Sequence, residues 1–346
     1  MKQNIKDMPL NRLEDFFESL GEKKYRAKQV FGWIYKGAIS FDEMSDLSKQ
    51  LRETLKTHAE LSLLKISERL FSQSDGTMKY LFELADGNFI ESVFMKYKFG
   101  NSVCVSSQAG CKMGCIFCAS GKDGFVRNLS PGEMAEQILK AQKDAGERVN
   151  HVVVMGTGEP FDNYENLAKF IRIINDENGL NIGMRNITVS TCGIIPKIKD
   201  FASDFPQVNL AISLHAPRAE LREKIMPIEA KYGFDELISA CRDYTIKTGR
   251  RITFEYALID GLNDSPSDAE QLAKRLRGML CHINLIPLNF VAGLSAGDSA
   301  QAYAPSPKEK TRLFLKTLQE KGAPATIRRE LGADINAACG QLRLGR

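Results

Sequence analysis

A chain of 346 residues with 43% apolar side chains is too long for one small domain and rich enough to bury a sizeable core. No apolar run approaches the ~20 residues that span a bilayer, and MKQNIKDMPLNRLEDFF lacks the apolar stretch of a signal peptide, so the expectation is a cytosolic chain rather than a membrane protein or secreted disulfide scaffold. A net charge of +4 permits a nucleic-acid partner without requiring one.

Residues 1–60 read as short helices: LNRLEDFFESL, KKYRAKQVFGWIY, and SFDEMSDLSKQLRETL with a capping box from Ser40 to Glu43. This segment is expected to be an accessory domain. The basic run around Tyr25 (21–29) suits a grip on RNA, although a solvated helix face would look the same. Residues 61–100 read as a β-rich linker region, with a hairpin turning at Asp86-Gly87. From about 101 to 330 strand and helix alternate, with buried parallel strands expected at 103–107, 151–155, 186–190, 208–213, 252–258 and 283–288. Ser130-Pro131-Gly132-Glu133 and Ser306-Pro307-Lys308-Glu309 both look like capped helix starts. The fold class is therefore α/β, with six β-α units in an open sheet or a partial barrel. Residues 331–346 read as a polar C-terminal loop.

In such folds chemistry collects at the carboxyl ends of the strands, and the unusual motifs all fall there. Of eight cysteines, Cys111, Cys115 and Cys118 share one loop with C-x3-C-x2-C spacing. Structural zinc usually takes four protein ligands, and no fourth is evident. Three thiolates on a four-iron cluster leave one iron open to a small molecule. A zinc knuckle, or cysteines that only pack, is the plainer alternative. The loop resembles the signature of radical S-adenosylmethionine (SAM) enzymes over roughly residues 101–330, which implies a [4Fe-4S] cluster whose free iron binds SAM.

Gly156-Thr157-Gly158-Glu159-Pro160 is neither a P-loop nor a dinucleotide fingerprint. It resembles the "GGE" motif of radical SAM enzymes, which assigns Gly158 and Glu159 to SAM. Ser190, Ser213, Leu214, His215 and Asn289 sit where buried strands end and are candidate contacts for SAM ribose and adenine, each open to a plain capping or core role.

Two cysteines outside the loop make the likeness specific. VCVSSQAGCKMGCIFCASGKDGFVRNL, VVMGTGEP, ISLHAP, NLIPLN and GADINAACGQLR resemble the RlmN and Cfr family of RNA adenine methyltransferases over nearly the whole chain. The resemblance implies that Cys339 accepts a methyl group from a first SAM and that a second SAM supplies the radical. It also implies a protein–RNA crosslink resolved by Cys104, leaving a Cys104–Cys339 disulfide, and a proton acceptor at Glu91. Glu91 could equally be a solvent-facing strand residue. Such chemistry has a physical motive: ring carbons C2 and C8 of adenine carry no nucleophilic lone pair, so direct displacement on the SAM methyl is unfavourable. Cys192, Cys241 and Cys281 read as packing residues.

Within the family, Pro160 favours the group that methylates C2 of an adenine in 23S rRNA, and of the adenine 3′ of the anticodon in some tRNAs. The Cfr-like group, which methylates C8 and confers antibiotic resistance, tends to have Ala there. Thr157 departs from the Met common in the family. The partners implied are 23S rRNA, tRNA and an electron donor such as flavodoxin or ferredoxin, with no membrane and nothing that demands more than a monomer. Arg343 and Arg346 are further candidates to touch RNA.

Overall fold

The computed structural model describes residues 2–122, 124–288 and 303–337. Its first helices are α1 (Leu10–Ser19), α2 (Lys24–Tyr35) and α3 (Lys49–His58), tied off by a short parallel pairing of β1 (Gln3–Asn4) with β2 (Ala59–Glu60). Each helix buries one stripe: Leu13, Phe16 and Phe17 in α1, and Ala27, Val30, Phe31 and Ile34 in α2. The single helix expected from Ser40 onward is not formed. The Ser40 hydroxyl meets the Glu43 carboxylate at 3.3 Å instead of capping a backbone N–H, and only a 3₁₀ turn (Phe41–Glu43) follows. Phe41, Met44 and Leu47, three apart and all buried, hold this stretch out of α-helical spacing. Helix α3 starts afresh at Ser48, whose side chain accepts the Leu51 N–H.

Strands β3 (Lys65–Phe71), β4 (Met78–Glu83), β5 (Phe89–Tyr97) and β6 (Gly100–Val105) form an antiparallel meander, with Asp86-Gly87 turning β4 into β5. A small hairpin of β7 (Gln108–Gly110) and β8 (Phe125–Asn128) then flanks the cysteine loop. The chain continues as α4 (Pro131–Ala145), β9 (Val149–Val154), α5 (Tyr164–Asn175), β10 (Ile187–Thr191), α6 (Ile195–Asp204), β11 (Asn209–Ser213), α7 (Ala219–Ile225) and α8 (Phe234–Thr248). After these come β12 (Ile252–Leu258), α9 (Pro266–Leu276), β13 (Cys281–Pro287), α10 (Lys308–Glu320) and β14 (Ala325–Ile327).

One sheet of ten strands results, in the order β3-β4-β5-β6-β9-β10-β11-β12-β13-β14, parallel from β6 onward. All six expected βα strands are present, in a partial barrel. The meander extends one edge of the same sheet. The short β14 was not anticipated, because ATI carries too few residues to show alternation.

The Ser130 capping box is formed, and Ser265 with Asp268 builds another. Ser306 does not cap α10. Its hydroxyl donates to Asp264 at 2.7 Å, and the helix starts behind Pro307 with no side-chain cap.

The helical unit docks on the first turns of α4. The Gly132 N–H donates to Asp7 at 2.8 Å, and a Cβ on Gly132 would lie 2.8 Å from Lys6 Cβ. Lys6 pairs with Glu136 at 2.6 Å, both side chains almost wholly buried. Burial drags the Lys6 pKa down, while Glu136 opposes that shift. Removing one partner strands the other charge, so Lys6→Met is expected to cost roughly 3–5 kcal/mol, read as a lower denaturant midpoint. An unchanged midpoint would show that the pair is solvated in solution.

Candidate active site

Cys111, Cys115 and Cys118 lie on one loop between β7 and β8 and line a cavity over the carboxyl ends of the parallel strands. Around the same cavity stand Gly158 and Glu159 after β9, Ser190 in β10, Ser213 at the end of β11, and His215. Residues scattered over a hundred positions are thereby gathered by the sheet alone. Leu214 stands between Ser213 and His215 at the same strand end. Its side chain is fully buried in the main core, because the strand end alternates and turns Ser213 and His215 inward but Leu214 outward. Asn289 and Cys339 lie outside the described residues, as do Arg343 and Arg346.

The loop holds thiols in an unfavourable setting. Burial pushes the Cys111 pKa up to about 11, with the neighbouring Cys118 adding to the shift, and burial pushes Cys115 higher still. Positive iron offsets that penalty. Among the described residues no three His, Cys, Asp or Glu side chains gather as tightly as a single ion needs. Three thiols of one loop lining one cavity are a donor set that fits a cluster keeping one iron open. The loop is steadied by the Ile116 N–H donating to Ile225 O at 3.1 Å, and by Phe117, whose ring stands edge-on to His215 at 4.6 Å.

On α7 lies Arg222, with a wholly buried side chain. It donates to Glu229 at 2.6 Å, to Cys192 O at 2.6 Å and to Ser213 O at 3.4 Å, which ties the ends of β10 and β11 together.

The glycines of 156–160 serve the frame as well as any ligand. A Cβ on Gly156 would lie 2.7 Å from Ser106 Oγ, and one on Gly158 (φ +105°) would lie 2.5 Å from Gln108 Cβ. Segment 105–108 is thus the close neighbour that demands them. The Glu159 carboxylate accepts from Cys192 N at 2.7 Å and Phe161 N at 2.9 Å, stitching β9 to β10. Burial raises its pKa, and those N–H groups pull it back.

His215 has φ +56°, unusual for a non-glycine residue. Its Nδ1 accepts from Ala257 N at 2.9 Å, so the proton of the neutral ring sits on Nε2. Burial lowers its pKa to about 3, with Arg222 contributing, which keeps the ring neutral.

Two charged residues of the cavity were not expected from the sequence. Glu255 is buried in β12, holds Asn284 Nδ2 at 2.9 Å and faces Arg328 at 3.6 Å. The signal was available: a carboxylate inside the apolar run ITFEYAL needs a reason. Arg328, just beyond β14, had no comparable signal.

A second constellation assembles on the neighbouring strands β5 and β6. Cys104 stands opposite Val93 on β5, and Glu91 is two residues earlier on the same face, a diagonal neighbour. Against Val93, Met95 and Cys104 pack Leu331, Ile335 and Ala337, so the tail that leads to Cys339 folds over Cys104. Met155, in that same apolar cluster, also lines the cavity. Glu91 pairs with Lys79 at 2.7 Å, and its Oε2 is buried without a hydrogen-bond partner among the described residues. Burial pushes its pKa up to about 7, against the pull of Lys79. It does not face solvent. Cys241 and Cys281 are buried packing residues, and no disulfide joins the seven described cysteines.

Comparison with known proteins gives the site its context. A model of the radical SAM superfamily matches residues 105–276, and one of the ribosomal RNA large subunit methyltransferase N-terminal domain matches residues 3–61. The chain is 53% identical over 342 residues to a probable dual-specificity RNA methyltransferase RlmN of Clostridium novyi (strain NT), covering 99% of this chain and 98% of that one. The corresponding protein of Caldanaerobacter subterraneus subsp. tengcongensis is 54% identical, with 98% and 97% covered. A crystal structure of a radical SAM methyltransferase from Sphaerobacter thermophilus superposes with a TM-score of 0.92 at 44% identity, covering 99% of both chains. A three-thiol loop at the mouth of a parallel partial barrel, with these matches, defines a radical SAM methyltransferase. The chain belongs to the RlmN family of radical SAM RNA methyltransferases. Membership carries with it a [4Fe-4S] cluster and SAM. No helix among the described residues is long and apolar enough to cross a membrane.

Proposed function

We propose that this enzyme methylates C2 of an adenine in the peptidyl transferase centre of 23S rRNA, and of the adenine 3′ of the anticodon in tRNA. The observation that carries the reading is the packing of Leu331, Ile335 and Ala337 with Cys104, beside Glu91 and in one cluster with Met155, which lines the cysteine cavity. Cys339 follows Ala337 by two residues, a span of at most about 7 Å of chain.

The residue roles follow. Cys111, Cys115 and Cys118 hold the cluster, which with bound SAM supplies a 5′-deoxyadenosyl radical. Gly158, Glu159, Ser190 and Ser213 shape the SAM seat, and His215 offers its Nε2–H from a neutral ring; Asn289 is assigned there by resemblance alone. Cys339 takes a methyl group from one SAM and loses a hydrogen from it to the radical made from another, so two are consumed per turnover. The Cys339 methylene carbon would bond to adenine C2, the adduct giving up one electron to the oxidised cluster and its C2 proton to Glu91; the Cys104 thiolate would then attack the Cys339 sulfur, breaking its bond to carbon, so that the freed carbon takes a proton to become methyl and a Cys104–Cys339 disulfide remains. The labour is divided along the chain: helical residues 1–60 grip RNA, 61–100 form the β-rich link, 101–330 the barrel and 331–346 the loop bearing Cys339. A monomer working in the cytoplasm, reduced by a flavodoxin or ferredoxin, completes the reading.

The test is anaerobic incubation of reconstituted enzyme with SAM, reductant and 23S rRNA, followed by nucleoside mass analysis. 2-Methyladenosine is expected; 8-methyladenosine would establish the Cfr-like alternative instead. For the RNA grip, Tyr25 is half exposed beneath the Arg26 guanidinium, with Lys23 and Lys24 exposed beside it. Charge reversal of Lys23 and Lys24 to Glu is expected to raise the Kd for rRNA about tenfold and flatten its salt dependence. Equal affinity and salt slope would assign RNA binding to another surface.

A further inference from the structure

Lys79 is a nearly buried cation with two obligations. Its ammonium pairs with Glu91 at 2.7 Å and donates to the backbone carbonyl of Asn336 at 3.1 Å. Register places it in one row with the residues that matter: Lys79 stands opposite Val93, Val93 opposite Cys104, and Cys104 opposite Val153. Lys79 and Cys104 thus share one face of the sheet, and the tail lies across it.

The tail is fixed from the same side by the turn between β3 and β4. Asp75 accepts the Gly332 N–H at 2.8 Å, and Asp334 accepts from Gln73 N at 3.1 Å and Ser74 Oγ at 3.3 Å. Gly332 (φ +65°) is bent so tightly that a Cβ there would lie 2.7 Å from Ala337 Cβ, and its carbonyl accepts from both Ile335 N and Ala337 N. Asn336 is also left-handed, at φ +50°. The bend is followed by the one carbonyl that Lys79 grips, three residues before Cys339. A long, rotamer-rich lysine is costly to bury and immobilise, so one held between a carboxylate and a backbone carbonyl is a specific joint rather than filler.

We propose that Lys79 is a positioning residue that fastens the backbone just ahead of Cys339 to Glu91, holding the methyl-carrying thiol, its resolving thiol and the proton acceptor as one unit. The inference rests on the cysteine roles proposed above. A backbone fastened at Asn336 limits how far the residues that follow it can stray from Cys104.

The thiol pair reports the geometry without cluster or SAM. Treated with diamide, Cys104 and Cys339 join through one S–S bond, and the diazene takes up the two electrons and two protons to become the hydrazine. Peptide mapping by mass spectrometry follows the rate. Lys79→Met is expected to slow the bond roughly tenfold through lost effective concentration, with Lys79→Arg within about threefold of the parent. Lys79→Met strands the Glu91 charge, so Lys79→Met with Glu91→Gln, which removes both charges of the pair, is the second variant and should show the same slowing. Disulfide formation at the parental rate in both variants overturns the proposal and leaves the cysteine roles intact. A parent that never forms the bond overturns those roles, and this inference with them.

Discussion

Replacing Glu91 with Gln is expected to lower adenine methylation by about 10²–10⁴-fold while leaving the S-methylation of Cys339 unchanged. The split follows from position. Glu91 sits on the face of β5 that carries Val93, next to the tail, and is not among the residues lining the cysteine cavity. Its buried Oε2 has no partner among the described residues, so one acceptor position is left for a proton from outside the fold. Gln keeps the shape but cannot take that proton. The pH dependence gives a second handle. Burial pushes the Glu91 pKa up to about 7, so the carboxyl is protonated below that pH and becomes a competent base only above it. Single-turnover RNA methylation is therefore expected to rise with pH through about 7 in the parent, and the Gln variant should lack that rise. A Gln variant with parental turnover would return Glu91 to the role of a structural partner for Lys79.

Cys118→Ala is expected to remove the iron–sulfur centre and with it all RNA methylation. Anaerobically purified parent should be brown, with absorbance near ~400 nm from iron–thiolate charge transfer, and the variant colourless. The expected loss is total because two thiolates cannot replace three: no other cysteine lining the cavity is on the loop, and Cys192 is held at the end of β10 with its N–H bonded to Glu159. Cys241→Ala supplies the control. That thiol is fully buried in the core, and its loss is expected to lower stability by about 1–2 kcal/mol while iron content stays at the parental level. A Cys118→Ala protein with a full complement of iron and labile sulfide would mean the cluster is held elsewhere.

Much of the molecule is legible from local pattern. The parallel strands announce themselves as buried runs such as HVVVM and NLAIS, because a strand covered on both faces must be apolar throughout. The cysteine spacing determines the site's chemistry by itself, since three thiolates within eight positions need no tertiary information to meet. The Asp86-Gly87 turn and the Ser130 cap are equally local and are found as expected.

Local pattern misled where a side chain had a distant partner. Ser306 bonds Asp264, forty-two residues away, rather than its own helix, and the Ser40 segment gives up helix to bury Phe41, Met44 and Leu47. Leu214 looked like its neighbours until alternation turned it into the core. Glu255 and Arg328 meet only because β12 and β14 flank β13.

By itself, then, the sequence determined the radical chemistry, the parallel architecture and the family, because each depends on contiguous residues. Tertiary structure decided what no window of sequence holds: that Glu91 is buried beside Lys79, that the C-terminal bend folds over Cys104, and that a helical unit docks on α4 through one buried ion pair. The hydrogen bonds that hold that bend join residues up to 261 positions apart, and only the packing of the sheet brings them within bonding distance.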